Sequence, residues 1–287
     1  MRTVASIAEV RAFLAQAQRP VGFVPTMGAL HAGHGRLIEV ALRDSASVAV
    51  SIFVNPSQFN RSEDYLRYPR PLDMDLAFCA ARGVDLVFAP PVEEMYPQPQ
   101  LAWVDVTRVA DRMEGQFRPG HFRGMATVVL KLLQIVQPER AYFGEKDAQQ
   151  LAVVRRMVKD LNLPVEVIGV ETVREPDGLA LSSRNQHLSA EERAIAPLLY
   201  RALREAAESI AAGETSAAAV RNRAMEALAA LEEAARMRVE YLEIADEEMQ
   251  PLERITGTVR VAAAVWMGRT RLIDNVRCVA RGLPDAE

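Results

Sequence analysis

Cysteine is almost missing from this chain: Cys79 and Cys278 are the two in 287 residues. That excludes a disulfide framework and a cysteine-built zinc or redox site, and both thiols read as buried hydrophobes beside Phe78, Ala80, Val276 and Val279. A dominant charge is lacking too. With 34 Lys and Arg against 38 Asp and Glu, the net charge is −4, and no long basic run stands out. The electrostatic footprint of a nucleic-acid or lipid-surface binder is therefore absent, so any anionic ligand must be met by local donors. Long hydrophobic runs are also missing. The opening MRTVASIAEVRAFLAQAQRP breaks its apolar positions with charged and polar residues, which fits neither a signal peptide nor a membrane span and predicts a soluble, cytoplasmic protein. Glycine and proline, at 15 and 16, are too few for a collagen-like or low-complexity chain, while 49% hydrophobic and 25% charged residues describe an ordinary globular one. Its length predicts two domains.

What is present begins with alternation. Apolar runs at 21–26, 48–54, 84–90, 140–144 and 165–173 are bounded by turn residues and separated by helical patterns at about 34–44, 72–82, 123–136 and 147–160. Right-handed crossovers then give a mostly parallel sheet covered on both faces, a Rossmann-like α/β domain over 1–176 whose ligands sit at the carboxyl ends of the strands. The pattern changes after the turn Glu175-Pro176-Asp177-Gly178. Ser189 and Glu192 form a capping box opening a helix to about Ala212 before Gly213, an Ala-rich helix fills about 216–236, and strand-like stretches follow at 239–245, 254–268 and 270–279. Short links favour an antiparallel sheet, so 177–287 reads as a smaller α+β C-terminal domain.

The first strand runs into Met27-Gly28-Ala29-Leu30-His31-Ala32-Gly33-His34 and then an amphipathic helix, the place where an α/β protein holds phosphate on helix N–H groups. Gly28 and Gly33 have the spacing of a P-loop, but His34 and Gly35 stand where that motif needs Lys and Ser or Thr, and no third glycine completes a dinucleotide fingerprint. An H-x-G-H is instead expected by chance only about 0.003 times in a chain of this composition. Two imidazoles three residues apart share one helix face and can donate N–H to phosphate oxygens during nucleotidyl transfer. Paired core or capping histidines are the plain alternative, and metal binding would need a third ligand such as His121 or a carboxylate.

Further along, Phe143-Gly144-Glu145-Lys146-Asp147 ends a strand and opens a helix, so Lys146 sits where the helix dipole repels a cation unless an anion is near. A solvated lysine offset by Glu145 and Asp147 is the competing reading. Gln149 and Gln150 follow, and either can point an amide back at the site. Ser182-Ser183-Arg184-Asn185 offers hydroxyls and a guanidinium suited to pyrophosphate, or a plain polar turn. Gln58, in Asn55-Pro56-Ser57-Gln58-Phe59, leaves the second strand beside the first and can hydrogen-bond a small polar substrate. Arg118 to Gly124, RPGHFRG, reads as a mobile lid or a solvated loop. Asp73 and Asp75 can hold magnesium or simply favour a helix start. Arg271 to Asn275, RLIDN, reads as structural.

Together PTMGALHAGH, FVNPSQF, RPGHFRG, FGEKDAQQ and LSSRN form one ordered set over about residues 20–279 that resembles the pantothenate synthetase (pantoate-beta-alanine ligase) family, relatives of class I aminoacyl-tRNA synthetases and nucleotidylyltransferases. The resemblance implies an ATP- and Mg2+-dependent ligase that joins pantoate to beta-alanine through pantoyl adenylate, as a cytoplasmic homodimer on the coenzyme A pathway. It places ATP on Met27 to His34, on Gly144 to Asp147, on Val173 and on Leu181, Ser182, Ser183 and Arg184, with His34 as the family's proton donor and His31, Lys146 and Arg184 beside it in catalysis. Gln58 then corresponds to the glutamine touching both pantoate and beta-alanine, and Gln150 to a second pantoate ligand. Asp75 is the candidate magnesium carboxylate, less securely matched because Met74 separates it from Asp73. Carboxylate attack on phosphorus releases no proton, so His34 is expected to act as a hydrogen-bond donor to developing charge. The histidine bend and the Lys146–Arg184 pair are expected to face one triphosphate. Adenylyl transfer to another vitamin-type acceptor, and a non-catalytic nucleotide sensor, are the competing readings.

Overall fold

The computed structural model describes residues 1–235 and 237–281. The chain divides into two compact units, Met1–Glu145 with Val153–Glu171, and Lys146–Ala152 with the chain from Thr172 onward.

The first unit carries a six-stranded sheet of β1 (Arg2–Val4), β2 (Val21–Thr26), β3 (Ser47–Ile52), β4 (Leu86–Phe88), β5 (Arg140–Gly144) and β6 (Glu166–Val170). All pairings are parallel, in the order β1-β4-β3-β2-β5-β6. β2, β3 and β4 are buried along nearly their whole length because helices cover both faces, which is why they read as unbroken apolar runs. Strand order reverses between β2 and β5, and such a switch point opens a crevice at the carboxyl ends. β2 meets β3 over six rungs from Val21–Ser47 to Thr26–Ile52, but meets β5 only at Gly22–Arg140 and Phe23–Ala141. The edge strand β1 is absent from the expectation: three residues, two of them exposed, carry too little alternation to be seen.

The second unit pairs β7 (Met237–Ala245), β8 (Thr258–Met267) and β9 (Thr270–Val279) as the antiparallel sheet β7-β8-β9. Leu199, Leu203 and Ile210 of one helix share a core with Val259, Val261 and Val265 of β8. The helix expected from Ser189 to Ala212 is two, Ala190–Ile195 and Pro197–Ala211. The Ser189 capping box is present, but proline has no N–H to give and its ring clashes with the preceding turn, so Pro197 starts a new helix. The following helix spans Ala217–Ala235, and Arg236, its expected end, lies outside the described residues, as do 282–287 of the expected C-terminal domain. Cys79 is fully buried, whereas Cys278 is only partly so. Among the described residues no helix is long and apolar enough to cross a membrane.

Candidate active site

The first group of predicted residues follows β2, at the switch point. Thr26 donates through Oγ1 to the Ser51 carbonyl at 2.7 Å and accepts the Gly28 N–H at 3.2 Å, which turns the chain sharply out of the sheet. Gly28 and Ala29 then take positive φ, +81° and +52°. Only glycine fits the first position, since a Cβ there would stand 2.8 Å from Asp75 Oδ2. The strained Ala29 is held by Asp75, whose carboxylate, 2% exposed, accepts the N–H groups of Ala29 and Leu30 at 2.9 and 2.7 Å.

His31 is the N-cap of helix Ala32–Asp44. Its Nδ1 accepts the Gly33 N–H at 3.1 Å, while His34 Nδ1 accepts the His31 N–H at 3.3 Å, a capping box built from two histidines whose ring centroids lie 4.2 Å apart. An Nδ1 that accepts cannot carry the proton, so these partners assign both neutral rings as Nε2–H donors. A Cβ at position 33 would stand 2.8 Å from His31 Cε1, so glycine between the histidines makes room for the cap.

Gln58 ends the turn Pro56–Gln58 after β3 and is 7% exposed. Its Oε1 accepts Asn55 Nδ2 at 3.0 Å and its Nε2 donates to Met27 Sδ at 3.2 Å, so the amide presents its donor end toward the bend. Burial raises the Tyr96 phenol pKa above its usual value, keeping it a donor to Asn55 Oδ1 at 2.8 Å. RPGHFRG is neither lid nor solvated loop at its second half. His121 and Phe122 are buried and begin helix His121–Val136, and His121 Nδ1 lies 2.9 Å from the Gln58 carbonyl. Arg118 Nη1, which can only donate, faces His121 Nε2 at 3.1 Å, so His121 is the Nδ1–H tautomer and donates to Gln58. A Cβ at Gly124 would stand 2.2 Å from the Ser57 carbonyl oxygen, so the helix backs directly onto the Gln58 turn.

The second group lies in the second unit. β5 ends at Gly144, a single 3-10 turn Glu145–Asp147 follows, and helix Ala148–Asp160 carries the buried Gln149 and the half-buried Gln150 in its first turn. Lys146 thus precedes a helix N-terminus, as its sequence context requires. With Ser182, Arg184, Asn185, Arg271 and Asp274 it lines one pocket. Ser182 Oγ accepts the Arg184 N–H at 3.2 Å and caps the turn Ser183–His187. Val173 lies beyond β6, where its carbonyl accepts the Leu181 N–H at 2.9 Å. Hence Met27 to His34, Gln58 and Asp75 form one group, and Lys146, Ser182 and Arg184 another.

The model of the pantoate-beta-alanine ligase family matches residues 2–277. The chain belongs to the pantoate-beta-alanine ligase family. Within it, the pantothenate synthetase of Chloroflexus aurantiacus is 54% identical over 277 residues, covering 96% of both chains, and that of Moorella thermoacetica is 50% identical over 280, covering 96% of this chain and 98% of the relative. The crystal structure of the Thermus thermophilus pantothenate synthetase superposes with TM-score 0.89 at 52% identity, over 96% of this chain and 99% of that one. The Francisella tularensis pantoate-beta-alanine ligase, complexed with beta-gamma ATP and beta-alanine, gives TM-score 0.79 at 36% identity, over 96% of this chain and 97% of that one.

The sequence alone makes RLIDN structural, yet Arg271 and Asp274 line the Lys146 pocket and Asn275 Nδ2 donates to the Lys146 carbonyl at 3.0 Å. The available signal was the adjacent polar pair Asp274-Asn275 between the apolar Leu272-Ile273 and Val276; both residues are buried in β9 and need partners.

Proposed function

We propose that this chain condenses pantoate with beta-alanine in two steps driven by ATP. A pantoate carboxylate oxygen attacks the α-phosphorus; the new P–O bond replaces the one to the bridging oxygen, and pyrophosphate leaves with that electron pair. The amine of beta-alanine then attacks the acyl carbon of pantoyl adenylate, a C–N bond forms, AMP departs and the nitrogen gives up a proton. Activation is needed because an amine cannot expel oxide from a free carboxylate but can expel AMP from a mixed anhydride.

His31 and His34 serve the first step as Nε2–H donors to phosphate oxygens gathering charge, held in aim before substrate arrives. Lys146 and Arg184 take the pyrophosphate charge, Ser182 and Ser183 add hydroxyl donors, and Met27 to Leu30, Gly144, Glu145, Asp147, Val173 and Leu181 complete the ATP contacts. Gln58 presents amide N–H to pantoate and to beta-alanine, and Gln150 to pantoate. Mg2+ enters as Mg2+–ATP: it favours phosphate oxygens and waters over an all-protein cage, and among the described residues no three His, Cys, Asp or Glu side chains stand together to form one. A homodimer and a cytoplasmic location complete the reading, and sedimentation at several concentrations tests the first.

The observation that carries this proposal is the double-histidine cap at the switch point, with both Nδ1 atoms occupied. Mixing the chain with ATP, Mg2+ and pantoate but no beta-alanine should yield pantoyl adenylate, seen by mass spectrometry, and one pyrophosphate per adenylate. Failure to form either would overturn it.

A further inference from the structure

We propose that Asn275 is a positioning residue for Lys146, acting on that lysine's backbone carbonyl; the inference rests on the reading that Lys146 serves adenylation. Asn275 lies in β9 and is 5% exposed, and every one of its polar groups has a partner. Its N–H donates to Asp274 Oδ1 at 2.8 Å, and its carbonyl accepts Arg174 Nη2 at 3.2 Å. Its Oδ1 accepts Arg260 Nη1 at 2.8 Å, and its Nδ2 donates to the Lys146 carbonyl at 3.0 Å. The amide can face only one way. A guanidinium donates and never accepts, so Arg260 fixes Oδ1 on its own side and aims Nδ2–H at Lys146.

The strand supplying this amide is itself anchored. Arg174 grips Asp274 through two bonds of 2.6 and 2.9 Å, donates to the Gly178 carbonyl at 3.1 Å, and lies 3.7 Å from the centroid of the Tyr200 ring. Lys146, by contrast, sits in a single 3-10 turn between the end of β5 and helix Ala148–Asp160, and the bonds of such a turn are of poorer geometry than those of the helix it leads into. The anchored strand therefore holds the Lys146 backbone at its carbonyl, and the lysine lines the pocket it shares with Ser182 and Arg184. A buried amide serving only the fold would need some partner, but it would not need one on this residue.

Asn275→Asp separates the two roles. The new carboxylate keeps the size and the bond to Arg260, and sets an acceptor against the Lys146 carbonyl. Single-turnover pyrophosphate release from ATP, Mg2+ and pantoate should slow about tenfold, the worth of one buried hydrogen bond. Attack of beta-alanine on preformed pantoyl adenylate should keep its parental rate, and in a Lys146→Ala background the substitution should slow pyrophosphate release no further. Unchanged pyrophosphate release, equal slowing of both half-reactions, or a full further loss in the Lys146→Ala background would each overturn the inference. Should Asn275→Asp fail to fold, Asn275→Ala, which removes the donor without adding charge, must show the same split. A parent chain that makes no adenylate would sink the adenylation reading itself, a result distinct from a parent and variant that react alike.

Discussion

The histidine bend and the lysine pocket are assembled on different length scales. The bend's capping bonds join residues two and three positions apart, with Asp75 reaching back 45 and 46 positions to hold the approach. The pocket depends on bonds spanning 129 positions, Asn275 to Lys146, and 100 positions, Arg174 to Asp274. The bend brings together imidazoles and backbone N–H groups, whereas the pocket gathers the cationic side chains of Lys146, Arg184 and Arg271. On the proposed reading, short-range capping serves to aim donors and long-range assembly serves to attract charge.

The largest effects should come from breaking that contrast. His34→Ala should slow adenylation by roughly 10²-fold or more, the usual worth of a preorganised electrostatic donor. Lys146→Ala should act on the same step through charge. Salt separates them: screening weakens exposed charge and leaves neutral donors alone. The ATP KM of the parent and of His34→Ala should rise with ionic strength, and that slope should flatten in Lys146→Ala. Equal slopes in all three would show that both regions work by the same physics.

A smaller effect is expected at Asp75. Asn in its place can accept one backbone N–H but turns an NH2 toward the other, so the strained Ala29 and the Leu30 that follows lose part of their restraint. Asp75→Asn should cost about 1–3 kcal/mol of stability, the penalty of an unsatisfied buried group. Adenylation should slow with it while the Mg2+ concentration for half-maximal rate stays where it was. A marked rise in that concentration would make Asp75 a metal ligand in place of a loop clamp.

The same difference in scale decides what can be read in advance. β2 and β5 are legible to the residue because an apolar run ends at Gly-bearing turns, and the double-histidine motif is visible because its geometry is local. The parallel α/β unit and the antiparallel β7–β9 sheet follow from periodicity and link length. Pro197, in plain view, splits a helix that periodicity alone would continue. The polar pair Asp274-Asn275 hints that RLIDN needs partners, but the identity of those partners and the His121 contact with Gln58 are out of reach, since each depends on which distant segment a strand or helix packs against, and no local pattern encodes that.

The smallest expected effect lies at the turn that precedes the pocket-lining Leu179, Ala180 and Ser182. Arg193 donates to Asp177 Oδ2 at 2.7 Å and also to Glu175, whose other oxygen accepts Asn185 Nδ2 at 3.3 Å, so surface charge tethers the turn before Ser182. The hydrogen bond from Arg193 is the main cause that holds the Asp177 carboxyl below its usual pKa. A depressed carboxyl lends stability above its unfolded value, about 3.9, and loses it as pH falls through the lower folded value. Arg193→Ala should therefore cost no more than about 1 kcal/mol near neutrality, the range for solvent-screened pairs. The gap between parent and variant in urea unfolding should narrow as pH drops below that unfolded value. A gap of constant size down to the acid limit would show that Arg193 acts by packing and that the turn ahead of Ser182 is not held by charge.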